Sequence, residues 1–168
     1  MNLYLLRHGQ AGERGDARYP DDSQRPLTPE GRRKMRRIAA GMRALDLEFD
    51  AFLSSPYLRA RQTAEIAAAA CHATDKLQLA DELAPDGDAR RLIGLLQAKH
   101  AAAENVLLVG HEPYLGHLIG VLLVGKAGLP VGLKKGGLCM LSVEALAYGP
   151  CAALEWLLTP RQLVKLGG

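Results

Sequence analysis

The stretch that decides the fold is LYLLRHG, residues 3–9. Its first four residues are apolar and have the length of a buried strand, and Gly9 marks the turn that ends the strand. In open α/β sheets, ligands bind just beyond the carboxyl ends of parallel strands. Arg7 and His8 are therefore expected where a substrate would lie. Arg7 offers a guanidinium suited to phosphate, and His8 offers an imidazole that can act as a base or a nucleophile.

Two further apolar runs end in the same way. The run at 105–110 leads into His111, and a shorter one earlier in the chain leads into Ser55, Pro56 and Arg59. An apolar run without alternation is typical of a strand buried on both faces. Ser55 and Pro56 predict the cap and first position of a helix, which would place Arg59 near the positive end of that helix. Two histidines and two arginines are thus expected at one edge of one sheet.

The rest of the pattern alternates strands with helices, which favours a sheet covered on both faces. Strands are predicted at 2–7, 50–54, 78–79, 105–110, 137–143 and 153–158, with the last two forming an antiparallel pair. Helices are predicted at 29–45, 56–72, 89–103 and 113–124, followed by a short one after Thr159. The predicted fold class is a three-layer α/β/α sandwich with a mostly parallel central sheet and an antiparallel C-terminal edge, in a single domain spanning residues 1–168.

The composition narrows the class of protein. The chain is 48% hydrophobic and 23% charged, as folded globular domains are, and its net charge of +3 is too small to indicate nucleic acid binding. No apolar stretch of about 18 residues predicts a membrane span. Three cysteines without a C-x-x-C pair, and no signal peptide, favour a reduced, cytoplasmic protein. The basic stretch at 32–37 is interpreted as a solvated helix face, with a docking patch for an acidic partner as the alternative.

Several motifs recur together along the chain. They are LRHG at 6–9, RPLT at 25–28, SSPYLRA at 54–60, QT at 62–63, ELAPDGD at 82–88, VGHEP at 109–113 and WLLTP at 156–160. In this order and spacing they resemble the histidine phosphatase superfamily, in the branch that includes phosphoglycerate mutase. Within that branch the chain looks most like the short, SixA-type phosphohistidine phosphatases, and the resemblance covers essentially the whole chain.

The resemblance implies a phosphoglycerate mutase-like fold and a catalytic role for each residue of the set. His8 is expected to attack phosphorus and to carry the phosphoryl group until water removes it. Arg7, Arg59 and His111 are expected to hold the phosphoryl oxygens, since phosphoryl transfer depends on positioning and charge stabilisation. Arg25 matches a further phosphate-contacting arginine of the short branch. With these donors neither a cofactor nor a metal is expected.

The proton donor for the leaving group is left open. Glu82, at the end of a predicted short strand, ranks first, and Asp88 is the alternative, although Asp88 also fits a helix cap. A phosphoramidate has a basic leaving nitrogen that can arrive already protonated, so the short branch is expected to need a dedicated acid less. The remaining acidic pair, Asp21 and Asp22, is interpreted as solvated, and no cluster of residues has the spacing of metal ligands.

The expected function is hydrolysis of phosphohistidine on a partner protein, such as a phosphotransfer domain, because the short chain leaves no room for a lid over the phosphate pocket. Lys134 and Lys135 are expected to flank that pocket and to steer an acidic partner. One alternative is a phosphatase of small phosphomonoesters with the same chemistry. The other is a noncatalytic phosphate-binding module of the same fold, which the presence of both histidines and both arginines disfavours.

Overall fold

Six strands and five α-helices make up the fold, with three single-turn 3-10 helices between them, and the computed structural model describes residues 1–168. The strands are β1 (Asn2–Arg7), β2 (Ala51–Ser54), β3 (Leu77–Leu79), β4 (Asn105–Gly110), β5 (Leu138–Val143) and β6 (Ala152–Leu158). The helices are α1 (Pro29–Ala44), α2 (Leu58–Ala70), α3 (Ala89–Lys99), α4 (Tyr114–Val124) and α5 (Pro160–Leu166). None of the five helices combines the length and apolar character that a membrane crossing requires.

The strands form one six-stranded sheet in the order β3-β2-β4-β1-β5-β6. β3, β2, β4 and β1 are parallel, whereas β5 and β6 run antiparallel to their neighbours. The first strand of the chain therefore lies in the interior of the sheet, between β4 and β5. This topology confirms the predicted mostly parallel sheet with an antiparallel C-terminal edge.

Successive residues of β1 face two separate cores. Leu3 and Leu5 pack in a cluster with residues of α3 and α4, and Tyr4 and Leu6 pack in a second cluster with residues of α1, α2 and α5. Leu5 and Leu6 are completely buried, and burial of a leucine side chain contributes about 1.5–3 kcal/mol. The helices thus cover both faces, which gives the predicted three-layer α/β/α sandwich.

Two helix boundaries differ from the prediction. α2 begins at Leu58 and not at Pro56. Tyr57 is its N-cap residue and makes no side-chain cap bond, while the Ser55 hydroxyl accepts from the Tyr57 amide at 3.3 Å and contacts the histidine that follows β4. α3 ends at Lys99, since the alanines that follow are mostly exposed and helix propensity without burial does not extend a helix. The predicted Thr159 cap is confirmed, and it forms a reciprocal capping box with Gln162.

Candidate active site

The carboxyl ends of β1, β4 and β2 meet at one edge of the sheet, and their backbone bonding continues one residue beyond each strand. The His8 amide donates to the Gly110 carbonyl oxygen at 3.0 Å, and the Ser55 amide donates to that of Val109 at 2.9 Å. His8, Ser55 and His111 therefore lie side by side. The rings of His8 and His111 have their centroids 5.0 Å apart.

His8 is held in one tautomer by its own turn. Its Nδ1 lies 2.7 Å from the Gly9 carbonyl oxygen, which can only accept, so Nδ1 carries the proton and Nε2 has a free lone pair. The side chain is buried, and burial, followed by electrostatic coupling to the neighbouring His111 ring and by the charges of Arg59 and Arg7, sets the pKa of His8 well below its usual 6.5. Near neutral pH His8 is an uncharged imidazole with its Nε2 available as a nucleophile.

Gly9 allows α1 and α2 to approach the His8 turn closely. A Cβ atom at this position would lie 2.5 Å from Cγ of Met35 on α1, so no larger residue fits without displacement. The Gly9 amide donates to Oγ1 of Thr63 on α2 at 3.0 Å, and that hydroxyl donates to the Arg59 carbonyl oxygen at 2.7 Å. The orientation of His8 is thus fixed by contacts that also tie it to the helix carrying Arg59.

Asp22 joins the two arginines of the site. Its Oδ1 accepts from Nε of Arg25 at 2.9 Å, its Oδ2 lies 3.0 Å from Nη2 of Arg59, and its backbone oxygen accepts from Nη1 of Arg59 at 2.8 Å. Partial burial works to raise the pKa of Asp22, but the charges of Arg59 and Arg25 outweigh it and lower the pKa. The interpretation of Asp22 as a solvated acid is therefore wrong, because it is an ion-pair partner of both guanidinium groups.

His111 and Arg7 are held by neighbouring loops. His111 Nε2 lies 2.8 Å from the Ser55 hydroxyl, and burial, followed by the charge of Arg59, lowers the pKa of His111 to about 3. Arg7 donates through Nη1 to the Leu133 carbonyl oxygen at 2.7 Å. Glu112 accepts from the Leu133 amide at 2.7 Å, so the loop that positions Arg7 is itself fixed.

Three buried nitrogens at this edge have no hydrogen-bond partner within the chain: Nε of Arg7, Nε of Arg59 and Nδ1 of His111. Leaving a buried donor unpaired costs about 1–3 kcal/mol, and such groups in a folded protein call for an explanation in terms of function. All three residues line one cavity together with His8. The arrangement suits an anion with several oxygens placed beside the free Nε2 of His8.

The cavity has a volume of about 1180 Å³ and brings together five of the six predicted site residues: Arg7, His8, Arg25, Arg59 and His111. Glu82 does not line it, and of the segment 82–88 only Pro85 does. Asp88 caps α3 by accepting from the Arg90 amide at 2.7 Å. The general-acid role of Glu82 therefore stays a prediction, and the cap expected of Asp88 is confirmed.

Sequence reasoning missed three residues that position the others, namely Asp22, Ser55 and Thr63. Ser55 and Thr63 both lie within motifs identified from the sequence, so their place in the motif was a signal of a role in the site. Asp22 begins a single 3-10 turn, Asp22–Gln24, in the loop before α1, where spacing gives no information about contacts. Its position three residues before Arg25 was the only available signal.

Comparisons with known proteins agree with this geometry. The model of histidine phosphatase superfamily branch 1 matches residues 3–84. The phosphohistidine phosphatase SixA of Escherichia coli is 33% identical over 127 residues, which cover 75% of this chain and 76% of that protein. An uncharacterised protein of Picosynechococcus is 40% identical over 139 residues, 82% of each chain.

A solved structure of the protein histidine phosphatase SixA, complexed with tungstate, superimposes with a TM-score of 0.83 at 27% identity, covering 97% of this chain and 99% of that one. The likeness therefore extends over both the sheet and the loops that build the site. The family model, the identity to relatives and the shared fold agree. They show that the chain belongs to branch 1 of the histidine phosphatase superfamily and is a histidine-dependent phosphatase of the SixA type.

Proposed function

We propose that this phosphatase hydrolyses phosphohistidine on a partner protein, such as a phosphotransfer domain, through a phosphorylated His8. The single observation that carries the chemistry is the free Nε2 of a neutral His8 in a cavity with three unpartnered side-chain nitrogens. The substrate class is supported by the relatives named SixA, since the Escherichia coli protein is a phosphohistidine phosphatase by name and the tungstate complex is that of a protein histidine phosphatase.

In the first step the His8 Nε2 lone pair attacks phosphorus, and the bond between phosphorus and the substrate nitrogen breaks. The electron pair of that bond returns to the substrate imidazole, whose other nitrogen is already protonated, so a neutral imidazole leaves. Arg7, Arg59 and His111 donate to the phosphoryl oxygens, and Arg25 adds positive charge beside them. Catalysis in this scheme comes from orientation and charge, which the ion pairs of Asp22 help to fix.

In the second step water attacks the phosphorylated His8, releases inorganic phosphate and restores the neutral ring. The Gly9 carbonyl oxygen keeps a proton on Nδ1 throughout, so the phosphorylated ring is cationic and leaves as a neutral imidazole. This contact therefore favours turnover of the intermediate.

The segment 82–88 supports a protein substrate. It contributes only Pro85 to the cavity, and the exposed lining residues leave the opening accessible to a side chain projecting from a folded surface. A specific observation also favours the second candidate, a phosphatase of small phosphomonoesters. The cavity of about 1180 Å³ is slightly above the range of ordinary small-ligand pockets, about 300–1,000 Å³, so it has room for such a substrate.

Trapping of the phosphorylated enzyme tests whether His8 is the nucleophile. Brief reaction with a substrate labelled in its phosphoryl group should give acid-labile, alkali-stable label on His8. His8→Ala should lose at least about 100-fold in rate, whereas the matched change His117→Ala, at an exposed position of α4, should not. Label on a serine or cysteine, or full activity of His8→Ala, contradicts the proposal, and a wild-type protein that binds phosphate without turnover indicates the noncatalytic module.

The substrate class is tested separately, by comparing kcat/KM on a phosphohistidine-bearing protein with kcat/KM on a panel of small phosphomonoesters. We expect the protein to be preferred. If a sugar or nucleotide phosphate were preferred by tenfold or more, the protein would be a phosphatase of small phosphomonoesters. The proposed chemistry at His8 would still stand.

A further inference from the structure

Five exposed cationic side chains line the cavity outside the phosphate-binding residues. They come from the loop before α1, from α1, from the turn before β5 and from α5, and together we call them the cationic rim: Arg14, Lys34, Lys134, Lys135 and Arg161. None of them forms an ion pair within the chain. Like charges that converge on one opening repel one another, so the rim is suited to an anionic surface from outside.

The acidic residues of the cavity do not neutralise the rim. Asp22 is engaged by Arg25 and Arg59, and the two oxygens of Glu112 accept from the backbone amides of Gly116 and Leu133. Both carboxylates therefore act within the wall of the cavity. The third acidic lining residue, at position 13, is exposed and forms no ion pair.

The charge of the whole chain is unevenly distributed. Eight lysines and arginines and three carboxylates line the cavity, a net charge of +5. The whole chain has 21 basic and 18 acidic side chains, so the remainder carries 13 basic and 15 acidic ones, a net charge of −2. The positive potential of the protein is thus concentrated at the opening of the site, an arrangement that orients an approaching anionic partner.

Lys134 and Lys135 of the rim lie in a turn that is held by the backbone of the site. The Gly137 amide donates to the Lys134 carbonyl oxygen at 2.6 Å and closes a turn, and the Gly136 amide donates to the Arg7 carbonyl oxygen at 3.0 Å. Gly136 has a φ of 81°, and a Cβ atom there would lie 2.6 Å from Cδ1 of Ile38. The turn is therefore fixed against both β1 and α1 and presents its lysines in a defined position.

We propose that the cationic rim is a docking surface for an acidic protein surface that surrounds the phosphorylated side chain. The proposal rests on the proposed function, and it adds the chemistry by which the partner is selected. A protein fits better than a nucleic acid, because no phenylalanine, tyrosine or tryptophan lines the cavity to stack on bases.

The test uses one histidine phosphotransfer domain in two phosphorylated forms. In the first form carboxylates flank the phosphohistidine, and in the second the same residues are replaced by the corresponding amides. The phosphatase variant is Lys134→Glu/Lys135→Glu. The matched control is Arg91→Glu/Lys99→Glu, which changes the net charge equally at exposed positions of α3 that do not line the cavity. The phosphoramidate ion serves as the small substrate.

At low ionic strength we expect wild-type kcat/KM to favour the acidic form by about tenfold or more, since steering raises association rates by about 10–1,000-fold. The preference should shrink as salt is added. In the rim variant the loss on the acidic form should exceed the loss on phosphoramidate by about tenfold, and the control should behave as wild type.

Each failure has its own signature. Wild-type hydrolysis of both protein forms at equal kcat/KM, or a rim variant that keeps the preference, overturns the docking surface and leaves the proposed function standing. Wild-type hydrolysis of phosphoramidate but of neither protein form overturns both. If a single-stranded oligonucleotide bound more tightly than the acidic domain, and the rim variant lost that binding, the rim would be a nucleic-acid surface and the proposal would also fall.

Discussion

Replacing His111 by glutamine tests whether the site buries uncharged imidazoles. In the folded protein burial, followed by the charge of Arg59, lowers the pKa of His111 to about 3, from an ordinary value of 6.5 in the unfolded chain. Only the unfolded chain gains a proton between these two values. Stability from this group is therefore fully present above pH 6.5 and is lost as the pH falls towards 3.

The two pKa values give the size of the effect. At pH 5 nearly all unfolded molecules are protonated at this position and nearly all folded molecules are not, so folding is about 2 kcal/mol less favourable than at pH 8. The lowered pKa of His8 likewise makes folding less favourable as the pH falls. Wild-type protein should therefore lose about 2 kcal/mol more stability between pH 8 and pH 5 than His111→Gln does.

Urea unfolding at both pH values measures this difference. For each protein we compare the free energy of unfolding at pH 8 with that at pH 5. The two proteins are not compared at a single pH, because His111→Gln also changes the contact with Ser55. His117→Gln, at an exposed position of α4, is the matched control and should follow wild type. If His111→Gln and wild type lose the same free energy, His111 is not buried as a neutral group and the same argument fails for His8.

Three other predictions concern the chemistry. Asp22→Asn keeps the shape of the side chain, but its single side-chain oxygen can no longer accept from Arg25 and Arg59 as the two carboxylate oxygens do. We expect kcat/KM to fall about tenfold, as for loss of a charge-assisted hydrogen bond discounted for partial exposure. Unchanged kinetics would show that Asp22 does not position the two arginines. Activity should survive exhaustive EDTA treatment because cationic side chains already surround the site, and a loss restored by magnesium or zinc would contradict this. Glu82→Gln should slow a substrate with a poor leaving group more than one with a good leaving group, since a general acid matters in proportion to the leaving group's need for a proton. Equal or negligible effects, which its position outside the cavity lining would explain, would remove Glu82 from that role.

The sequence predicted the sheet and the convergence of the main site residues because both follow from local pattern and topology. Apolar runs without alternation located β1 and β4, and the rule that parallel strands share a carboxyl edge placed His8 beside His111. The irregular segments could not be read in this way. Asp22 contacts two arginines from a segment whose path no hydrophobic periodicity describes. Local propensity predicted Ser55 as a helix cap, but its hydroxyl contacts His111.

The central position of β1 sets the order in which the chain can assemble during synthesis. β1 pairs with β4 and β5, for example Asn2 with Asn105 and Leu6 with Leu138, so Asn105 of β4 leaves the ribosome 103 residues after Asn2, and Leu138 of β5 leaves it 132 residues after Leu6. At about 5–20 residues per second, β1 waits several seconds or more for its first partner. During that interval an apolar strand of the nascent chain has no sheet to join. A product that stops before β4 can form neither the central sheet nor the pocket, because β1 and β2 both pair with β4.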